Sequence, residues 1–472
     1  MSHTDAPLML SVSGARGVVG TSMTPALASE YAAAFGSMIR AGSTESAPLL
    51  CIGRDSRPSG EMLAMAVRAG LRSVGCRVVD LGVVATPTVG VMIDRHRAAG
   101  GMVITASHNP IEWNGIKSLN ADGVAPPLPQ CEELLRRFRE RDFSYASVEQ
   151  LGDETSDSTG DEVHVERVLA IVDGDAIRQA GITVVLDSIN GAGCRSGRML
   201  LERLGCRVVH LNGEPHGRFA HTPEPTRENL TDLAERVPRE RAAIGFAQDP
   251  DADRLAMVDE HGRYIGEEYT LVMAAKRALD LHAAGIAPFA SRQPVLATNL
   301  STSRMIDLVA AGYPGARVLR TAVGEANVVE ALKPADGLIG GEGNGGVIVP
   351  AICWVRDSLS SMALVLDMLA HTGATLSELV DAIPALSMVK RKFDLSAIGG
   401  RDALGPMFER LRGDYAHAVV NDADGLRIDL PQGWVHLRPS NTEPIVRLIA
   451  EAESEPAVRA LIDDVARITG LE

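Results

Sequence analysis

The sequence predicts an α/β protein with three similar mixed α/β domains, followed by a C-terminal domain of a different, α+β kind. Three observations lead to this prediction. The chain has 472 residues, and since a domain holds roughly 100–200 residues, three or four domains are expected. A helix, a glycine and a short strand recur three times along the chain, and the pattern changes after residue 375.

The recurring unit consists of an amphipathic helix, a glycine that ends it and a short β-branched strand. It is found in the stretches RAGLRSVGCRVVDLG, RMLLERLGCRVVHLN and MIDLVAAGYPGARVLRT. Gly75, Gly205 and Gly315 suit the position after a helix, where a positive φ costs little. The strands PLLCIGR and ITVVLDS precede the first two units, so they complete βαβ units that favour parallel sheets. A repeated domain explains the spacing, although a generic αβ unit would share part of the pattern.

The region after residue 375 combines short strands and turn signals with a final helix near EPAVRALIDDVARITG. That combination predicts the α+β domain. The Gly- and Asp-rich stretch QLGDETSDSTGDE indicates a surface linker or loop near residues 150–160. We therefore place the four domains at residues 1–155, 156–260, 261–374 and 375–472.

The charge balance argues against a nucleic-acid-binding surface. The chain has 46 Lys and Arg against 61 Asp and Glu, a formal net charge of −15. An anionic substrate would therefore need Arg and Lys concentrated in one cleft. No apolar run reaches the roughly 18 residues of a membrane-spanning helix, and the first residues, MSHTDAPLML, lack a signal-peptide pattern. A cytoplasmic protein without membrane contact is expected.

The six cysteines do not form a metal or redox motif. None belongs to a C-x-x-C pair, so zinc ribbons and thioredoxin-type sites are not predicted. Their scatter indicates buried thiols in a reducing compartment.

The stretch DPDADR places Asp249, Asp251 and Asp253 at alternate positions after an apolar strand. Three such carboxylates converge when the chain curls around a hard cation, and they leave positions open on Mg²⁺ for water or a phosphate oxygen. An EF-hand loop is disfavoured because Arg254 stands where the sharp turn needs glycine. A solvated acidic turn is the other alternative.

The hexapeptide TASHNP follows the apolar strand GGMVI. It places Ser107 beside His108 at the end of the strand, and Pro110 stops the strand there. Lys117 follows in WNGIK. The residues alone leave two interpretations open, a polar turn or a nucleophile exposed at a strand end.

Two further loops have polar groups suited to a phosphorylated ligand. In RPSNTEP the side chains can surround phosphate oxygens, although a locally hydrogen-bonded turn is an equal alternative. Its polar residues are Arg438, Ser440, Asn441 and Thr442. In GEGNGG the backbone can approach a ligand closely, but glycine-rich loops are often only turns, and no Lys follows as in a Walker loop.

Three arginines lie in Gly/Ser-rich loops of the first domain. They are Arg16 in SGARG and Arg54 and Arg57 in GRDSRPSG. Most arginines lie at the protein surface, so that is the expected location of any one of these three.

In this order, the motifs closely resemble those of the α-D-phosphohexomutase family, which includes phosphomannomutase/phosphoglucomutase and phosphoglucosamine mutase. The resemblance covers the whole chain, with one signature in each domain. It implies four domains around a central cleft, the first three sharing a mixed α/β core. It also implies a phosphoserine mechanism, Mg²⁺ as cofactor, a hexose 1,6-bisphosphate as activator and intermediate, and a monomer or homodimer.

The resemblance also implies roles for individual residues. Ser107 matches the serine that carries the phosphoryl group, and it joins Asp249, Asp251 and Asp253 in the metal site. Catalytic roles beside Ser107 are implied for Arg16 and Lys117. His108 is assigned to the catalytic group as well, where it either contacts the phosphate or braces the loop. Substrate-binding roles are implied for Arg254, Glu342, Asn344, Arg438, Ser440, Asn441 and Thr442.

The chain departs from the family pattern at three positions. Related loops often have Ser at the position of Asn344 and His at that of Gly346, and some members have His where this chain has Glu325. Gly346 leaves the sugar-binding wall open, so relaxed selectivity is expected, with glucosamine 6-phosphate as the main substrate. Glucose or mannose phosphates are the alternative, and a non-catalytic regulator that binds sugar phosphates is an alternative of another class.

Overall fold

Four β-sheets follow one another along the chain in the computed structural model, which describes residues 8–11, 14–395, 398, 400–440 and 445–471. The first three are mixed sheets with a parallel core, and the fourth is antiparallel throughout. The predicted fold class is therefore confirmed. The boundaries at residues 155, 260 and 374 remain predictions.

The first sheet has the strand order β1-β2-β6-β5-β3-β4-β7. Its strands are β1 (Met9–Ser11), β2 (Gly14–Val18), β3 (Leu49–Arg54), β4 (Arg77–Val83), β5 (Gly100–Ile104), β6 (Trp113–Asn120) and β7 (Glu154–Ser156). Its helices are α1 (Pro25–Gly42), α2 (Gly60–Ser73), α3 (Thr86–His96) and α4 (Leu128–Glu140). The central strand β5 is buried along its whole length, as its apolar sequence and parallel neighbour require.

The second and third sheets repeat a smaller arrangement, with orders β11-β10-β8-β9 and β13-β12-β14-β15. The second unit contains α5 (Gly160–Leu169), α6 (Gly174–Ala180), β8 (Thr183–Asp187), α7 (Gly193–Arg203), β9 (Arg207–Leu211), α8 (Thr231–Arg239), β10 (Ile244–Gln248) and β11 (Leu255–Asp259). The third contains α9 (Glu267–Ala283), β12 (Gln293–Asn299), α10 (Met305–Ala310), β13 (Arg317–Thr321), α11 (Glu325–Leu332), β14 (Gly337–Glu342), β15 (Gly346–Ile348), α12 (Ser358–Thr372) and α13 (Leu376–Asp381).

The fourth sheet has the order β16-β20-β19-β18-β17 and is covered by two helices. Its elements are β16 (Ser387–Asp394), α14 (Leu404–Asp414), β17 (Val419–Asn421), β18 (Leu426–Leu430), β19 (Gly433–Pro439), β20 (Ile445–Ala452) and α15 (Glu455–Thr469). The predicted final helix is α15, whose first turn is capped by the Ser454 side chain.

The hydrophobic cores show which parts of the molecule are held rigidly together. One continuous core runs through the second and third units, because α9 and α12 pack between their sheets. The fourth sheet and its helices have a separate core of their own. The loops of the second and third sheets are therefore fixed with respect to each other by packing.

Most of the predicted secondary structure is present. The two predicted strands are β3 and β8, and Gly75, Gly205 and Gly315 have φ of 82°, 76° and 78° at the predicted positions after helices. The prediction of a surface loop near residues 150–160 is partly wrong, because the stretch contains β7. That strand pairs with β4, but it has three polar, exposed residues and so has no hydrophobic pattern to reveal it.

All six cysteines are buried and unbridged, as predicted. Within the described ranges, every helix is too short or too polar to span a lipid bilayer.

Candidate active site

The candidate site is built from loops that follow one strand in each of the four sheets. These strands are β5, β10, β14 and β19, and each loop begins at the carboxyl end of its strand. In α/β sheets this is the edge at which ligands bind. Ser107 of the first loop contacts the second loop directly, and Arg356 bridges the second and third loops. Arg438 of the fourth loop contacts Asp424, which also accepts from the Val323 N–H near the start of α11.

Ser107 is held against the second loop by its hydroxyl. Its Oγ donates to Asp249 Oδ2 at 2.9 Å, and its backbone N–H donates to Thr105 Oγ1 at 2.9 Å. The residue has φ of 49°, a left-handed conformation that is strained for a side chain other than glycine and that clusters at functional sites. A simple solvated turn would not require either feature, so the geometry favours the nucleophile.

His108 lies next to this hydroxyl, with Nδ1 at 3.4 Å from Ser107 Oγ. The positive charge of Arg254, together with burial and Arg16, holds its pKa well below the ordinary value. The ring is therefore neutral at physiological pH.

Arg57 holds the loop that carries Ser107. Its guanidinium donates to four backbone carbonyls at 2.6–3.1 Å and forms a buried ion pair with Asp55. The four carbonyls belong to Ser107, Asn109, Pro110 and Trp113. The Arg57 side chain is 0% exposed, so the expectation of a surface arginine is wrong here.

Replacing Arg57 with lysine should lower turnover and stability together. A lysine ammonium cannot reproduce the planar fork, and each buried carbonyl left unpaired costs about 1–3 kcal/mol. Displacement of the Ser107 loop by an ångström would reduce kcat by up to about 100-fold. Thermal unfolding and steady-state kinetics measure both effects. Arg77→Lys, at an arginine 47% exposed, is the matched control, and equal behaviour of the two variants would contradict the positioning role.

Asp249, Asp251 and Asp253 form a buried carboxylate cluster. Each offers one oxygen, and these oxygens lie within 4.8 Å of one another. Asp251 Oδ1 and Asp253 Oδ1 are buried and have no hydrogen-bond partner among the described residues. Three converging carboxylates with oxygens left unsatisfied fit a hard divalent cation, and the solvated-turn alternative is excluded by their burial.

The pKa values of the cluster reflect its crowding. Burial, together with the neighbouring charges of Asp251 and Asp253, raises the pKa of Asp249 well above its ordinary value. Burial also opposes the ionisation of Asp253, but Arg356, Lys117 and Arg254 outweigh it and lower its pKa. Such divergence among adjacent carboxylates is typical of functional sites.

Cationic side chains surround these carboxylates. Lys117 Nζ donates to Asp251 Oδ2 at 2.6 Å and to Asp253 Oδ2 at 3.1 Å. Arg16 Nη1 donates to Asn109 Oδ1 at 3.3 Å in the Ser107 loop. Arg254 Nε lies 3.8 Å from Asp253 Oδ1 and is buried without a hydrogen-bond partner within the described part of the chain. An acidic protein thus concentrates positive charge in one cleft, as an anionic substrate requires.

Glu342 of the third loop is already engaged by the protein. Its Oε1 accepts from Asn299 Nδ2 at 2.8 Å and from Gly324 N–H at 3.1 Å. Its Oε2 accepts from Arg356 Nη1 at 2.8 Å and, more weakly, from Asn344 Nδ2 at 3.5 Å. The Asn344 contact is the longest of the four, so Oε2 is the oxygen that retains most capacity for a further donor. Asn344 is the partly exposed residue of this otherwise buried loop.

The wall beside Gly346 is closed, in contrast to the open wall predicted from the glycine. A Cβ at position 346 would lie 2.2 Å from Arg356 Cδ. The Arg356 side chain occupies the volume that the glycine leaves free. An open wall at Gly346 is therefore wrong as the basis for relaxed selectivity.

Glu325 begins α11 and faces the same region. Its Oε2 accepts from the Arg356 backbone N–H at 3.0 Å, and burial raises its pKa. A buried carboxyl of this kind holds a proton more readily than an exposed one.

The fourth loop is described only in part. Arg438 Nε donates to Asp424 Oδ2 at 2.9 Å, and its Nη2 is buried without a partner among residues 8–11, 14–395, 398, 400–440 and 445–471. Asp424 Oδ2 also accepts from Val323 N–H at 3.0 Å, next to the start of α11. Ser440 N–H donates to Ile445 O at 2.8 Å. The predicted residues Asn441 and Thr442 lie outside the described residues.

Three residues of the site were given no role by the sequence motifs, although Arg57 lies in a loop that the sequence singled out. Besides Arg57 and Arg356, Thr86 at the start of α3 donates its Oγ1 proton to Asp251 Oδ2 at 2.6 Å. Each lies far along the chain from the group it contacts. The one available signal is Asp357, a helix N-cap that fixes the backbone next to Arg356.

The comparison with protein-family models matches all four parts of the chain. The models are described as phosphoglucomutase/phosphomannomutase alpha/beta/alpha domains I, II and III and the C-terminal domain. They match residues 9–145, 162–262, 268–386 and 389–468.

Curated relatives and solved structures agree with these matches. A phosphoglucomutase/phosphomannomutase of Thermococcus kodakarensis is 37% identical, covering 95% of this chain and 96% of the relative. A probable phosphoglucosamine mutase of Methanopyrus kandleri is also 37% identical, covering 96% and 95%. A phosphoglucomutase/phosphomannomutase family protein from Burkholderia thailandensis has a TM-score of 0.82 at 27% identity, covering 98% and 97% of the two chains. The chain therefore belongs to the phosphoglucomutase/phosphomannomutase family, the α-D-phosphohexomutases, and is an enzyme of the mutase (isomerase) class.

Proposed function

We propose that this enzyme interconverts hexose 6-phosphate and hexose 1-phosphate through a phosphorylated Ser107 and a 1,6-bisphosphate intermediate. The observation that carries the proposal is the Ser107 hydroxyl, held 2.9 Å from Asp249 beside the carboxylate cluster and its surrounding cations. A serine in that position can give its phosphoryl group to one sugar hydroxyl and take back the other. The bisphosphate must turn over in the cleft between the two transfers.

Each transfer exchanges one phosphorus–oxygen bond for another. In the first, the bond between phosphorus and Ser107 Oγ breaks, a bond to the sugar oxygen forms, the sugar hydroxyl proton passes to a base, and Ser107 Oγ takes up a proton to become a free hydroxyl. We assign this base to Glu325, whose buried carboxyl has a raised pKa. Arg16, Lys117 and His108 are placed to hold the oxygens of the phosphoryl group, on which negative charge accumulates.

We infer that Asp249, Asp251 and Asp253 hold Mg²⁺, with an oxygen of the Ser107 phosphoryl group completing the set. When bound, the ion neutralises part of the charge on the transferring group. The oxygens of Asp251 and Asp253 that lack partners among the described residues support this assignment. Lys117 has its pKa raised by the same two aspartates despite burial, so it stays positively charged as a fixed electrostatic group.

The phosphate that does not react is assigned to the fourth loop. Arg438 has a buried Nη2 donor to offer, and Ser440 lies two residues further on. Together with Asn441 and Thr442, which the sequence places next, they would hold the phosphate and leave the sugar to Glu342 and Asn344. Arg254, which lies beside Asp253, would bind the substrate at the carboxylate cluster. A loop that binds only the phosphate suits a substrate that must bind in two orientations.

We propose glucosamine 6-phosphate as the main substrate. Asn344 can both donate and accept, so it tolerates a hydroxyl or an amine, and Glu342 supplies a carboxylate. Relatives named probable phosphoglucosamine mutase at 31–37% identity support this choice. The relative named phosphoglucomutase/phosphomannomutase at 37% supports glucose and mannose phosphates as the second candidate.

We further propose a hexose 1,6-bisphosphate as activator, a cytoplasmic location and a monomer or homodimer without nucleic-acid or membrane partners. A non-catalytic regulator is the alternative of another class. The presence of Ser107 with all three aspartates weighs against it.

The substrate assignment is tested by kcat/KM for the glucosamine, glucose and mannose 6-phosphates at one concentration of bisphosphate activator. Glucosamine 6-phosphate should have the highest kcat/KM of the three. Its advantage should not exceed roughly 10–100-fold, because discrimination depends on few contacts. If it is the poorest, the phosphoglucomutase/phosphomannomutase assignment replaces it. Turnover of none of the three would favour the regulator.

A further inference from the structure

Gly346 and Arg356 share one volume in the third loop. The three atoms nearest to a Cβ built on Gly346 all belong to Arg356, its Cδ at 2.2 Å, Cγ at 2.9 Å and Nε at 3.1 Å. Real Cβ contacts are not this short, so any side chain at position 346 must displace the arginine.

Arg356 cannot move aside without losing its partners. Its Nη2 donates to Asp253 Oδ2 at 2.7 Å and its Nη1 to Glu342 Oε2 at 2.8 Å, and its Nε lies 3.0 Å from Glu325 Oε2. The side chain is only 11% exposed. A single guanidinium thus joins the carboxylate cluster, the sugar loop and the proposed base.

The backbone under Arg356 is also fixed. The next residue, Asp357, caps α12 by accepting from the backbone N–H groups of Leu359 and Ser360. Its own N–H donates to Val347 O at 2.8 Å, and its carboxylate lies 3.2 Å from His164 Nε2. The guanidinium therefore projects from a rigid platform, as a residue that sets the position of others should.

We propose that Arg356 is a positioning residue and that Gly346 provides the space for its side chain. Arg356 orients Glu342 for sugar recognition and partly neutralises the negative charge of the Asp249–Asp253 cluster. The Arg356 side chain occupies the part of the cleft wall that a larger residue at position 346 would otherwise occupy. The proposal rests on the proposed function for the roles of Glu342 and the aspartates.

Removing Arg356 should change turnover and metal binding in opposite directions. Without the guanidinium, Glu342 loses its strongest contact to Oε2, and the sugar is held less accurately. Asp253 meanwhile loses a neighbouring cation on Oδ2, whose positive charge opposes the binding of Mg²⁺ to the cluster. A purely structural defect would instead weaken both properties.

The test compares four forms of the full-length enzyme: the wild type, Arg356→Ala, Gly346→Ala and the double variant. Arg356→Ala should lower kcat/KM by about 10–100-fold and tighten Mg²⁺ binding, measured by calorimetry, by roughly threefold or more. Gly346→Ala should change both quantities in the same directions. In the Arg356→Ala background, Gly346→Ala should have no further effect, because the atoms it would meet are gone.

Gly405→Ala is the control, because a Cβ there meets nothing within 4 Å, and it should behave as the wild type. Arg356→Lys provides a second variant if the alanine variant unfolds. A lysine offers one nitrogen where the guanidinium presents three at separate positions, so it cannot contact Asp253, Glu342 and Glu325 together, and its kcat/KM should also fall. Additive effects of the two alanine substitutions, or Mg²⁺ binding that is unchanged or weakened without Arg356, would overturn the proposal. The Mg²⁺ measurement decides it even if no sugar phosphate is turned over, an outcome that would count against the proposed function instead.

Discussion

Replacing Ser107 with alanine should reduce mutase activity by at least about 10³-fold, the scale seen when a covalent nucleophile is removed. The hydroxyl is the atom that carries the phosphoryl group in the proposed cycle, and no other hydroxyl is held against the carboxylate cluster by the same loop. Intact-mass spectrometry should find a phosphorylated fraction in the wild type and none in the variant.

The variant should still fold, because the loop around Ser107 is held mainly by Arg57 through backbone carbonyls. Ser196→Ala is the matched control. Its hydroxyl is equally buried and has no hydrogen-bond partner in the described parts of the chain, so its loss should leave activity intact. Turnover by the Ser107 variant at the wild-type rate would rule out the phosphoserine mechanism.

Replacing Asp251 with asparagine should weaken Mg²⁺ binding and turnover together, each by on the order of 100-fold. The substitution keeps the shape of the side chain but removes one of three negative charges, and a bound metal ion contributes several kcal/mol to such a transition state. Asp251 also accepts from Lys117 and Thr86, and an amide satisfies these donors less well. Calorimetry with Mg²⁺ and steady-state kinetics measure the two effects.

The three aspartates should behave as a unit, so a second substitution should add little to the first. Asp94→Asn, at a carboxylate that is 72% exposed, serves as the control for the loss of one charge. Ca²⁺ should bind to the cluster but support little turnover, because its looser geometry misplaces the phosphoryl oxygen. Full activity after thorough chelation would contradict a metal role for the cluster.

The residues whose positions could be predicted from the sequence share one property, which is that their geometry is local. Asp249, Asp251 and Asp253 converge because they alternate on one tight loop after a buried strand. Ser107 reaches the cleft because its strand stops there. Each strand end directs its loop to one edge of its own sheet. The four loops lie on four different sheets, so their convergence was expected from the resemblance to the family and not from the strands.

The residues that the motifs missed depend on contacts between distant segments. Arg57 meets the Ser107 loop from about fifty positions away, and Arg356 meets Asp253 from 103 positions away. Gly346 was misinterpreted because the side chain that fills its space, that of Arg356, lies outside the GEGNGG motif. A glycine in a sequence indicates a missing side chain, but it does not show which other residue fills the space.

The most direct test of the account follows the phosphoryl group through a single turnover. Enzyme phosphorylated by radiolabelled hexose 1,6-bisphosphate, and freed of it by gel filtration, is mixed with an equimolar amount of unlabelled glucosamine 6-phosphate. The label should leave Ser107, enter the bisphosphate, and then be found in the sugar monophosphate. Label that stays on the protein while the sugar is isomerised would contradict the central claim.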